Sequence, residues 1–146
     1  MNFKQLGISN DLVNTLNQMG IKNPTPIQEE AIPLIINKKD IIAQSQTGTG
    51  KTFAFLLPMF ENINPKDNSI QGLIITPTRE LAIQISEAAQ KLNETKNLNI
   101  LAAYGGKDIK SQLNKLKRNI HLVIATPGRL LDHLDRDSIN LSKLKT

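Results

Sequence analysis

Short apolar runs alternating with segments of helical length constrain this chain most. Residues 40–44, 73–75, 98–104 and 121–125 each read as a short buried strand. Between them lie amphipathic stretches. Ser9 is an N-cap ahead of Leu12, Val13, Leu16 and Met19, and Gly20 stops that helix. A second helix carries Ile27, Ala31 and Leu34, with Pro33 expected to kink or shorten it. Further helices are expected over residues 52–61 and 78–93, the latter striped by Leu81, Ile85, Ala88 and Leu92. A basic helix presents Ile109, Leu113 and Leu116 inward, and a last one, capped by Thr126 and begun by Pro127, carries Leu130, Leu131 and Leu134. Strands separated by helices dictate an α/β protein with a parallel sheet covered on both faces. The length of 146 residues suits one domain able to bury a real core.

Composition narrows the function classes. With no cysteine, disulfide frameworks and thiolate metal sites are excluded. The longest apolar run, residues 53–60, contains Pro58 and is far too short to span a bilayer, so no membrane association and a cytoplasmic location are expected. The net charge of +5 is unevenly spread: residues 1–75 balance six basic against six acidic side chains, and residues 76–146 hold twelve against seven. That asymmetry points mildly to a polyanionic partner, although a solvated basic face explains it as well.

The most chemically specific segment is Thr47-Gly48-Thr49-Gly50-Lys51-Thr52, set between the first expected strand and a helix. Glycines let backbone N–H groups approach phosphate oxygens that a Cβ would hold away, and the helix points its positive end at the same anion. Lys51 can reach β- and γ-phosphates, and the Thr52 hydroxyl can ligate Mg²⁺. The strict P-loop pattern asks for glycine at position 45, where this chain has Ser45. No apolar strand ends in the aspartate that P-loop hydrolases use for Mg²⁺: residues 73–75 run into Thr76 and residues 122–125 into Thr126. His121 and His133 lack a second ligand at suitable spacing and read as structural, and Asp132, Asp135 and Asp137 as solvated helix-end carboxylates.

Taken in order, the motifs resemble the first RecA-like domain of DEAD-box RNA helicases. Residues 20–28, GIKNPTPIQ, look like the family's Q motif, with Phe3 as its isolated upstream aromatic. Residues 43–52, AQSQTGTGKT, are similar to motif I, in which a small residue at position 45 is usual. Residues 77–84, PTRELAIQ, resemble motif Ia, Gly105-Gly106 the GG motif, and Thr126-Pro127-Gly128-Arg129 motif Ib.

The resemblance implies an α/β RecA-like P-loop domain that binds ATP or ADP with Mg²⁺ and belongs to an ATP-dependent RNA helicase. It implies that Gln28 reads the adenine edge, that Phe3 packs near the base, and that Thr47, Gly48, Thr49, Gly50, Lys51 and Thr52 serve the phosphates and Mg²⁺. Lys51 and Thr52 would be the catalytic pair. Arg79, Gly105, Gly106, Thr126, Gly128 and Arg129 would line a track for the RNA sugar-phosphate backbone, without sequence specificity.

Ile21 and Lys38 depart from an aromatic and a glycine usual in the family. The family's DEAD motif would follow the segment ending at Thr146, so residues 1–146 are expected to be a partial first domain of a longer protein, without the second RecA-like domain. On that reading the chain alone hydrolyses ATP poorly, and sheet edges left unpaired by the truncation invite self-association. Another P-loop ATPase or DNA helicase, and a non-catalytic nucleotide-binding fragment, are the alternatives.

Overall fold

The computed structural model describes residues 1–48 and 50–146; Thr49, expected among the phosphate-loop residues, lies outside the described residues. The chain divides into two compact units. One is Met1–Asn62 with Glu94–Lys96, and the other Ile63–Asn93 with Asn97–Thr146.

The first unit holds α1 (Asn10–Gln18), α2 (Pro26–Ile36) and α3 (Lys51–Asn62). Ser9 starts α1 in extended backbone, and Leu12, Thr15 and Leu16 form its buried face. Proline at the first position of α2 needs no N–H partner, and Pro33, expected to kink or shorten the helix, leaves it running to Ile36. The face that α2 buries is Gln28, Ala31 and Ile32. Leu34, expected inward, is 45% exposed. It stands about 200° round the helix from Ile32, on the opposite side. Helix α3 buries Leu56, Leu57, Met59 and Phe60. Its end is capped by Lys96, whose ammonium donates to the carbonyls of Phe60 and Glu61.

Residues 40–44, expected to be a strand, form none. A strand exists only as half of a ladder, and among the described residues no segment pairs with this one. Ile42 is fully exposed. Ile41 and Ala43 instead line a cavity of 270 Å³ with Ala31, Ile35, Ala54 and Phe55.

The second unit is a three-stranded parallel sheet with helices. Its elements are β1 (Gly72–Ile75), α4 (Arg79–Leu92), β2 (Ile100–Ala103), α5 (Ile109–Leu116), β3 (Leu122–Ala125) and α6 (Pro127–Asp135). The strand order is β1-β3-β2, with Ile74 and Ala102 flanking Ile124. Central β3 is buried throughout, as an apolar run of four should be when both faces are covered. Leu101, Ala103, Val123, Ala125, Leu130 and Ile139 pack one core. Along the outer edge of β1, Lys145 and Thr146 donate to the Gln71 carbonyl at 2.8 and 3.1 Å, and Leu73 donates to that of Thr146 at 3.0 Å. That edge, expected bare, is therefore partly paired.

Two polar residues knit the opposite end of this unit. The buried Gln71 amide closes the 64–67 turn through Asn64 and Asp67. His121 accepts from the Asn99 N–H at 2.9 Å and donates to the Pro65 carbonyl at 3.0 Å. Both ring nitrogens of His121 are thus spent on backbone groups of this unit. Among the described residues no helix is long and apolar enough to cross a membrane.

Candidate functional site

In the first unit the phosphate-loop residues gather around one amide. Gln28 sits on the first turn of α2 and is 2% exposed. Its Oε1 accepts from the Thr25 N–H at 3.0 Å, the returning arm of a capping box, and its Nε2 donates to the Gly50 carbonyl at 3.1 Å. A capping glutamine thus reaches from the Pro-Thr-Pro turn to the residue before Lys51. Glycine at 50 is required twice over. Its φ is +88°, and a Cβ there would stand 2.5 Å from Gln28 Nε2 and 3.0 Å from Thr25 Oγ1. Gly48 also has positive φ, +83°, but a Cβ on it would meet open space.

Lys51 and Thr52 open α3, so the positive end of a 12-residue helix faces the loop. The Lys51 ammonium donates to the Ser45 carbonyl at 2.7 Å. Ser45 departs from the strict pattern and suits motif I, and neither reading foretells that its carbonyl holds the lysine. Thr47 is exposed and Thr52 half-buried. Phe3 lies in the core of this unit at 2% exposure, and its carbonyl accepts from the N–H groups of Leu6 and Ile8.

In the second unit the six residues of the expected backbone track all follow the carboxyl end of a strand, the rim where open parallel sheets bind ligands. Thr78 caps α4 by accepting from the Leu81 N–H at 3.2 Å, which brings Arg79 onto its first turn. Gly106 has φ +85°, and a Cβ on it would run into the Arg79 guanidinium. Gly105 and Gly128 face open space. Thr126 is the N-cap of α6 in extended backbone and its hydroxyl caps none of the helix amides. Arg129 donates to the Lys107 carbonyl at 3.0 Å. Arg79, Gly106 and Arg129 are thereby drawn together around one glycine turn, beside which the Lys107 ammonium lies 5.8 Å from the Tyr104 ring centroid.

Sequence reasoning missed Gln112. Ile109, Leu113 and Leu116 of α5, expected inward, are half-buried, whereas Gln112 is 1% exposed. No periodicity separates a buried glutamine from a solvated one. Among the described residues no group of histidine or carboxylate side chains could hold a metal ion.

A glycine-lysine-threonine loop opening a helix, and a parallel sheet with a helix after each strand, define a RecA-like α/β P-loop protein. Residues 25–146 match the DEAD/DEAH box helicase family, and the chain belongs to it. It is 50% identical to the ATP-dependent RNA helicase CshA of Listeria monocytogenes, over 99% of this chain and 28% of that protein. It is 48% identical to the DEAD-box ATP-dependent RNA helicase CshA of Bacillus subtilis, over 99% of this chain and 29% of that one. Among solved structures, a DEAD box protein from the hyperthermophile Methanococcus jannaschii superposes with TM-score 0.92 at 43% identity, over 99% of this chain and 39% of that one. Saccharomyces cerevisiae Dbp5, bound to RNA and ADP BeF3, gives 0.87 at 35% identity, over 97% of this chain and 36% of that one. The chain thus spans under a third of the length of these curated relatives.

Proposed function

We propose that the chain is the adenine-nucleotide-binding and RNA-backbone-binding part of an ATP-dependent RNA helicase. The observation that carries the nucleotide half is the Gln28–Gly50 contact. One buried amide, able to donate and accept, stands directly beside a glycine turn whose next two residues are Lys51 and Thr52. The chemistry of the loop fits a polyphosphate: the α3 amides, Lys51 and the Thr52 hydroxyl supply donors and a hydroxyl ligand, and a Cβ on Gly48 would stand in open space. Gly48, Gly50 and Lys51 would hold the phosphates, Thr52 would bind Mg²⁺, and Gln28 would meet the adenine edge. Phe3 would support that pocket from the core. Thr47 and Thr49 complete the loop on this reading. ATP, when bound with Mg²⁺, supplies the phosphoryl-transfer chemistry. The chain's part is to fix the phosphates and to release the Lys51 ammonium from the Ser45 carbonyl toward them.

Arg79, Gly105, Gly106, Thr126, Gly128 and Arg129 would hold successive phosphates and riboses of one RNA strand. Cations and open glycine amides serve a backbone and read no bases. The relatives' names, ATP-dependent RNA helicase, support the pairing of the two ligands. A cysteine-free sequence suits a reducing, cytoplasmic setting. Self-association through sheet edges belongs to the same reading, with sedimentation against concentration as its check.

Calorimetry with ADP and GDP tests the nucleotide half. Lys51→Ala weakens both ligands, whereas Gln28→Ala erases the preference for adenine over guanine. Equal binding of both nucleotides by the unaltered chain sinks the assignment of Gln28. For the RNA half, affinity for a single-stranded oligonucleotide falls with salt by about 0.7 log units per log unit for each phosphate neutralised. A salt-independent affinity rules a backbone site out.

A further inference from the structure

The Gly105–Gly106 turn is held at both of its flanking carbonyls, one from α6 and the other from α5. On the outside, Arg129 of α6 donates to the Lys107 carbonyl at 3.0 Å. On the inside, the Gln112 amide donates to the Tyr104 carbonyl at 3.2 Å, and its Oε1 faces His133 Nε2 of α6 at 2.9 Å. His133 is fully buried and Gln112 is 1% exposed. Because Gln112 spends its N–H on Tyr104, its oxygen must accept, and His133 must therefore carry its proton on Nε2. Nδ1 lies 2.8 Å from the Ser138 hydroxyl, whose one hydrogen can go to the His133 carbonyl at 3.0 Å or to Nδ1, and the neutral ring takes it on Nδ1. The imidazole is neutral in this arrangement. Burial first, and then the Arg129 cation, push its pKa below the usual histidine value. Arg129 and His133 are four residues apart on α6, so they lie on one face of that helix. The helix that presents Gly128 and Arg129 at its N-terminus thus holds the turn directly through Arg129 and indirectly through His133 and Gln112.

We propose that Gln112 and His133 are a buried positioning pair that sets the glycine turn against the α6 N-terminus, so that RNA-backbone affinity depends on two residues the RNA never touches. The proposal rests on the RNA half of the function given above. Without the pair, the Tyr104 carbonyl loses its partner inside the protein and the turn is free to rotate its amides away from the strand. A neutral hydrogen bond of this kind is worth about three- to tenfold in an equilibrium, and that is the size of effect to look for.

The experiment measures single-stranded oligouridylate binding by fluorescence anisotropy at fixed low salt, with circular dichroism melting as the control for folding. His133→Leu and Gln112→Leu are expected to lose about three- to tenfold in affinity. His133→Gln, which keeps a donor where Nε2–H stood, is expected to recover most of it. Gln112→Glu provides a signature that mere packing would not move. A carboxylate can accept from His133 but cannot donate to Tyr104, so affinity falls as for Gln112→Leu while the His133 imidazole titrates at higher pH by NMR. Arg79→Ala and Arg129→Ala separate the two ways of failing. If neither arginine variant changes affinity, the backbone site itself is wrong. If both weaken it while folded His133→Leu and Gln112→Glu bind like the unaltered chain, the positioning pair is overturned. Should the leucine variants not fold, Gln112→Glu and His133→Gln decide alone: equal affinity in these two overturns the proposal, and weaker binding by Gln112→Glu only supports it.

Discussion

Placing alanine at position 50 probes how tightly the phosphate loop and the α2 cap are fitted together. Two costs add. The backbone there has φ +88°, and an L-residue held in the left-handed region pays about 1–2 kcal/mol. The new Cβ would also stand 2.5 Å from Gln28 Nε2, a buried atom with nowhere to go but out of its hydrogen bonds. Moving the amide breaks the bonds to the Gly50 carbonyl and from the Thr25 N–H, at about 1 kcal/mol each. Gly50→Ala should therefore lose about 3–4 kcal/mol of unfolding free energy. Gly48→Ala is the control, since its φ is +83° but its Cβ meets open space. It should lose only the backbone part, about 1–2 kcal/mol. Urea unfolding followed by far-ultraviolet circular dichroism measures both. Repeating the pair in a Gln28→Ala background should shrink the gap between them to under about 1 kcal/mol, since the clash partner is gone. If the two alanine variants unfold alike, or if the gap survives the loss of Gln28, the contact has been misread.

Other consequences are quicker to state. The folded pKa of His133 lies below the usual 6.5, lowered first by burial and then by Arg129 and Arg136 against the raising influence of Asp132. The stability this neutral imidazole contributes is whole above pH 6.5 and is lost as the pH falls through the folded pKa. His133→Gln should flatten the acidic limb of a melting-temperature profile below pH 6.5, and an unchanged limb would contradict the buried neutral state. Lys96 caps the end of α3, and Lys96→Met should lose about 1 kcal/mol in urea unfolding. No loss would mean its ammonium is equally well served by water.

The elements most legible in the sequence were those whose signals are local. Thr78 caps α4 through its own hydroxyl, Pro127 begins α6, and the apolar run at residues 122–125 is a strand buried along its whole length. What could not be read were features that depend on partners. Residues 40–44 have the composition of a strand, but composition cannot say whether a neighbouring backbone stands alongside, and here none does among the described residues. The stripe expected on α2 runs through Ile27, Ala31 and Leu34, whereas the capping geometry turns Gln28 inward and Leu34 stands out. The candidate site divides the same way. Gly50, Lys51 and Thr52 follow from the glycine loop, whereas Arg79 and Arg129 enter only through the resemblance of their segments to the family's motifs. Gln112 and the Ser45 carbonyl act through hydrogen bonds that residue type alone does not announce.

The double occupation of Gln28 has a consequence for how a ligand could be told apart from its rivals. On the proposed reading a base would meet the second N–H and the second lone pair of this amide, while the bonds to Thr25 and Gly50 hold it in one orientation. An amide held so penalises a base whose donors and acceptors are reversed, because turning the amide over to suit it would break both bonds. Selectivity and tightness are then separable properties of the same pocket.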